Sequence, residues 1–225
     1  VFETLKSLSQ LIYPPYCLIC KAPGAEICQS CNDQWRRPIK RQRIAGIPLY
    51  FSQYYDEKNA NLILAAKENG NLIARNLLAI SIHSALLRLV NDFNISGEIG
   101  LVGIPSRTAI TRLRGRTHIQ DLIENVIQIN TNMQIGTRIQ LRNLDILQTI
   151  KRIQDQTGLD KNTRVSNMSG AYLANYPESN LRKLIIIDDL ITSGASIQAG
   201  ITALSIINLR PIAAITACAV GAHLE

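Results

Sequence analysis

Apolar residues recur along the chain in two rhythms, and the alternation between them predicts an α/β fold. Short branched runs stand at Leu184 to Ile187, Gly100 to Ile104 and Ile212 to Ala219, free of charge as strands covered on both faces require. Helical stripes separate them. Asn59 to Asn69 carries Leu62, Ile63, Ala65 and Ala66 and stops at Asn69-Gly70, while Leu72 to Val90 carries Leu77, Leu78, Ile82, Ala85, Leu86 and Leu89 at three- and four-residue steps. Two more stripes run through residues 117 to 130 (Ile119, Leu122, Ile123, Val126, Ile127) and 196 to 207 (Ile197, Ile201, Leu204). Tyr50, Phe51, Tyr54 and Tyr55 make Gly46 to Tyr55 strand material, and Thr137 to Leu141 and Met168 to Leu173 are further candidate strands. From Arg142 to Asn167 the pattern thins to a weak helical stripe through Leu147, Ile150 and Ile153, the profile of a lid or binding loop.

The stretch from Leu184 to Ser196 reads as a site. Its apolar run ends in Asp188 and Asp189, and Thr192, Ser193, Gly194, Ala195 and Ser196 follow just where a helix begins. Such a loop offers backbone N–H groups, hydroxyls and a positive helix end to a phosphate. The carboxylates would stand beside it at a strand tip, where open α/β sheets bind ligands, so a sugar phosphate fits, its hydroxyls on the acids.

Four of the five cysteines form two Cys-x-x-Cys pairs, Cys17 with Cys20 and Cys28 with Cys31. Two such knuckles can complete a closed tetrahedral S4 site for Zn²⁺, structural because no coordination position stays open; two disulfides or an iron–sulfur site are the alternatives. Cys218 lies in an apolar strand pattern and reads as a small buried residue. Residues 1 to 45 are thus expected to form a small zinc unit with a basic linker, and 46 to 225 the main domain.

With 225 residues, 46% of them hydrophobic, the chain can bury a full core. No run is expected to cross a bilayer, because Asn, Arg, Ser and His interrupt Leu72 to Val90, and no secretory signal opens the chain, so the cytoplasm is the expected location. Val1 in place of methionine and the closing Leu224-Glu225 are set aside. The net charge of +7 suits an anionic ligand, whether nucleotide, pyrophosphate or nucleic acid. Two segments concentrate it. Residues 36 to 43 hold Arg36, Arg37, Lys40, Arg41 and Arg43, a nucleic-acid candidate or a solvated linker, and Trp35 beside them packs or stacks. Residues 107 to 118 hold Arg107, Arg112, Arg114, Arg116 and His118 with no acid, an anion loop or a solvent-facing turn. His83 reads as packing or surface.

Together these residues resemble the ComF family, competence-associated relatives of the type I phosphoribosyltransferases. The double knuckle after Pro14-Pro15-Tyr16, Lys67 through Gly70, and Ile104-Pro105 with Arg112 and Arg114-Gly115 are similar to the family's landmarks. So are Gln156 through Leu159, Arg164, Asn167 and Gly170-Ala171. Leu184 to Ser196 resembles the phosphoribosyl pyrophosphate (PRPP) signature, with Ser193 and Ser196 in place of threonines. Arg116-Thr117-His118 departs from the family's usual Phe-Asn-Gln.

The resemblance implies a phosphoribosyltransferase-like parallel-sheet core with an N-terminal zinc unit. It also implies that Asp188 and Asp189 hold the ribose hydroxyls and stabilise an oxocarbenium-like state, that Thr192 to Ser196 cradle the 5′-phosphate, and that Mg²⁺ accompanies the pyrophosphate. Arg107, Arg112 and Arg114 would then line a pyrophosphate loop. Two functions follow as expectations: transfer of phosphoribose to an unidentified nitrogen acceptor, or a non-catalytic or PRPP-regulated factor that binds single-stranded DNA or competence proteins in DNA uptake, through Arg36, Arg37, Arg41 and Arg43.

Overall fold

The computed structural model describes residues 15–105, 118–133, 138–150, 171–177 and 181–221. Their order is α1 (Gln29–Trp35), β1 (Lys40–Ile44), β2 (Ile47–Tyr54), α2 (Glu57–Lys67), α3 (Leu72–Phe93), β3 (Gly97–Gly103), α4 (His118–Asn132), β4 (Ile139–Asn143), β5 (Leu147–Thr149), β6 (Tyr172–Ala174), β7 (Leu184–Ile191), α5 (Ala195–Ile206) and β8 (Pro211–Ala219). Six strands form one sheet in the order β1-β2-β8-β7-β3-β4, in which only the β1–β2 pairing is antiparallel. The fold is therefore mixed α/β around a mostly parallel sheet, as the branched runs predict.

Strand alternation feeds two apolar layers. Ile185, Ile187, Ala213 and Ile215 face α2, α3 and α4, while Leu184, Ile186 and Ala214 face α5 and the small antiparallel β5–β6 pair. The helix ends follow local chemistry. Asp56 caps α2 by accepting from the Asn59 N–H at 2.7 Å, Asn71 caps α3 from Ala74 at 2.9 Å, and Asn94 ends α3 with a positive φ of 48°.

Four expectations need correction. The basic run does not end as connecting chain: Lys40–Ile44 is an edge strand, because Lys40 to Ile44 pair in register with Phe51 to Ile47. By length and composition α3 is apolar enough to span a membrane, contrary to the reading of its interrupting polar residues, yet more than half of its most apolar window is buried between neighbouring elements. Leu147 does not open a helix; Leu147–Thr149 pairs with Tyr172–Ala174, leaving 151–167 of the expected lid outside the described residues. Finally, β7 does not stop at Ile187. Pairing with β8 continues through Leu190 with Cys218 and Ile191 with Ala219, so the two acids lie within the strand.

The cysteine knuckles dock on the main core. Cys17, Ile19, Cys31 and Trp35 share one apolar cluster with α2 and α3, and the Asn61 side chain donates to the Ile19 carbonyl at 3.1 Å.

Candidate functional site

On one side of β7 the neighbouring strand stops pairing just before the acid pair. There β3 pairs only as far as Gly103 with Ile187; the Ile104 N–H still donates to the Ile187 carbonyl at 3.0 Å, and Pro105 has no N–H to continue the ladder. The helices that follow β3 and β7 lie on opposite faces, α4 against Ile185 and Ile187, α5 against Leu184 and Ile186. Two parallel strands whose helices diverge in this way open a crevice at their C-terminal ends. Asp188 lies on the α5 face of β7 there, and Asp189 on the face covered by α2 and α4.

The loop after β7 forms the other wall. A small pocket is lined by Asp188, Leu190 and Ile191 together with Thr192, Ser193, Gly194, Ala195, Ser196 and Ile197. Gly194 takes a left-handed conformation (φ 76°) and is the N-cap of α5, and no side chain caps that helix. Its first-turn N–H groups consequently face the pocket end of the loop without intrahelical acceptors, apart from a 3.5 Å contact from the Ala195 N–H to Ser193 Oγ. A β-carbon on Gly194 would meet Ile44 Cδ1 at 2.6 Å, so the edge hairpin packs directly against this loop.

Asp189 is almost fully buried and is met by a lysine and a histidine. Lys67 Nζ, at the end of α2, and His118 Nε2, at the start of α4, each lie 3.5 Å from Asp189 Oδ2. Burial by itself would raise the Asp189 carboxyl, but the contact with His118 and the charge of Lys67 outweigh it and hold the group below the usual carboxylate range. Asp188 goes the other way, pushed well above that range by burial and by the Asp189 charge. The Asp189 N–H donates to Asp188 Oδ1 at 2.9 Å. Chemically the pocket offers the Asp188 carboxyl next to the hydroxyls and backbone N–H groups of the Thr192–Ser196 loop.

The four cysteines converge as their spacing predicts. All four Sγ atoms lie within 4.8 Å of one another, and none of the five cysteines is in a disulfide. A tetrahedral S4 site with metal–sulfur bonds of about 2.3 Å sets its sulfurs about 3.8 Å apart, so this cluster can close on one zinc ion. The Cys17 thiol, which burial would raise, is brought down to about 6 by hydrogen bonds from the Cys28, Cys20 and Ile19 backbone, which favours the ligating thiolate.

The basic segments fare differently. Arg107, Arg112 and Arg114 lie outside the described residues. Arg41 packs between the rings of Tyr50 and Phe93 and approaches Asp92 at 3.8 Å, Arg43 donates to the Gly46 carbonyl at 2.6 Å, and Arg36 contacts Asn32 Oδ1 at 3.4 Å. Arg37 is exposed. Trp35 is buried as packing, and His83 is buried with Nε2 3.3 Å from Asn130 Oδ1.

Sequence reasoning placed Lys67 in a motif and His118 in a basic segment, but not on Asp189, and it passed over Ile44. The Lys67-to-Gly70 segment was the signal available for Lys67; linear spacing holds none for Ile44.

No protein-family model matches the chain, and no curated protein sequence matches it.

Proposed function

We propose that the chain is a ComF-like, phosphoribosyltransferase-type protein that binds PRPP and transfers its phosphoribose to a nitrogen acceptor. The observation that carries this reading is Asp188 lining a pocket with a glycine loop and an uncapped helix start, next in the strand to a second, buried acid, Asp189. Ribose hydroxyls would lie on Asp188 and Asp189, and the 5′-phosphate on Thr192 to Ser196.

Two carboxyls are too few for a dedicated magnesium cage, which supports an ion that arrives with the diphosphate. When bound, such an ion neutralises charge on the leaving group. What the chain itself contributes is positioning: the loop fixes the phosphate, the acids fix the ring, and a carboxylate near the anomeric carbon stabilises developing positive charge. The cysteine cluster, read as a structural zinc site, takes no part in this chemistry, since four protein ligands leave no open position.

Titration calorimetry with PRPP and Mg²⁺ is the direct test, followed by a screen for pyrophosphate release across free bases and amines. Saturable heat is the expected result, and silence at millimolar ligand would overturn the proposal. The nucleic-acid reading is less well supported, because Arg36, Arg41 and Arg43 are each engaged within the molecule.

A further inference from the structure

The sheet register carries two rows of side chains across to the loop pocket. Phe51 on β2 pairs with Thr216 on β8, which pairs with Asp188 on β7, and Tyr54 pairs with Ala219, which pairs with Ile191. Residues in register on neighbouring strands share a face, and Phe51, Ala219 and Ile191 belong to one apolar cluster. Tyr54 therefore stands on the side of the sheet that carries Asp188 and the pocket. Two strand spacings, about 10 Å in all, separate it from the pocket-lining Ile191. Thr216 and Ala219 between them are small and fully buried. Strand β1 joins the same two ends: Ile44 lies against Gly194, and Gln42, the next residue along that face, donates from Nε2 to the Tyr54 hydroxyl at 3.1 Å.

Tyr54 is 45% exposed, yet its ring is held in place. The buried Phe51 ring meets it in a T-shaped contact, centroids 5.2 Å apart at 69°, and the Lys40 ammonium stands 5.5 Å from its centroid. Its backbone is fixed as well, the carbonyl accepting from Asn59 Nδ2 at 3.0 Å. An exposed aromatic ring that is already immobilised offers contact area at little further cost in conformational entropy. Its distance from the loop is close to the span between the 5′-phosphate and the base of a nucleotide. Resting on the sugar-phosphate reading, we propose that Tyr54 is the platform on which the acceptor stacks, and that the acceptor is a planar nitrogen heteroaromatic of the nucleobase class, not an aliphatic amine.

Nucleoside 5′-monophosphates, the products of such a transfer, read the platform against ribose 5-phosphate, which lacks the ring. In titration calorimetry at least one of the adenosine, guanosine, cytidine and uridine monophosphates should bind about fivefold to a hundredfold more tightly than ribose 5-phosphate. Tyr54→Leu, which keeps apolar bulk beside Phe51, should lose most of that gain while binding ribose 5-phosphate as the parent does, and Tyr54→Phe should retain the gain. No gain from any base, a gain that survives in Tyr54→Leu, or an equal loss for ribose 5-phosphate in that variant overturns the platform and leaves the sugar-phosphate reading standing. A wild-type protein that binds neither ribose 5-phosphate nor PRPP overturns both.

Discussion

The Lys67 ammonium stands 3.5 Å from the Asp189 carboxylate, joining the end of a surface helix to the middle of the central sheet. Losing one partner of a fully buried pair costs about 3–5 kcal/mol. Here the cost is smaller, because Lys67 is one-third exposed and His118 still faces the carboxylate. Lys67→Met should therefore destabilise the protein by about 1–2 kcal/mol in urea denaturation, with Lys67→Arg recovering most of it. Full stability in the methionine variant would show that the pair is not coupled.

Gly194 is the most constrained position of the loop. An alanine there must adopt a φ of 76° and push its β-carbon against Ile44 Cδ1. Gly194→Ala should lower stability by about 1–3 kcal/mol and weaken PRPP binding. Adding Ile44→Val removes the clashing Cδ1 but not the backbone strain, so thermal melts of the double variant should show partial recovery.

Zinc content should be about one ion per chain by elemental analysis. Because Cys17, Cys31, Ile19 and Trp35 belong to the same apolar cluster as α2 and α3, removal of the metal should be felt beyond the knuckles. Chelation, or Cys28→Ser, is expected to lower the melting temperature of the main transition itself, not to produce a separate small one. A metal-free chain that melts unchanged would contradict the assignment.

His83 is a source of acid sensitivity. Burial lowers its pKa and the contact with Asn130 offsets this only in part, so the folded state prefers neutral imidazole. A group whose folded pKa is depressed contributes its stability above the unfolded value, about 6.5, and loses it as pH falls through the folded value. Stability should accordingly decline below about pH 6.5, and His83→Leu should flatten that decline even if it changes stability at pH 7. Acid pH profiles of identical slope in both proteins would remove His83 from the account.

Much of this was legible in the chain. The sheet follows from branched runs such as Leu184 to Ile187, whose uninterrupted apolarity suits only a covered strand. The helices over residues 57 to 93 are marked by periodicity and by the Asn69-Gly70 stop between them, while the Asp56 and Asn71 caps emerged only with the structure. Where the reading missed, distant partners had decided the outcome. Lys40 to Ile44 looked like solvated chain because charge dominates it, yet the strand forms through backbone bonds to β2, to which side-chain charge is no obstacle at an edge. Likewise β7 runs through both acids because β8 continues to pair with it.

By itself, then, the sequence determined what depends on neighbours a few residues apart: the periods that make strands and helices, the two cysteine knuckles, and an acid pair followed by a glycine loop. The tertiary structure decided which face each acid takes, that Lys67 and His118 reach Asp189, and that Ile44 backs Gly194. Those contacts depend on strand order and helix placement, which bring together side chains that no local pattern relates. The acid pair shows the division plainly. Its two residues are identical in the chain, and only the folding of α2 and α4 onto one side of β7 makes them chemically different.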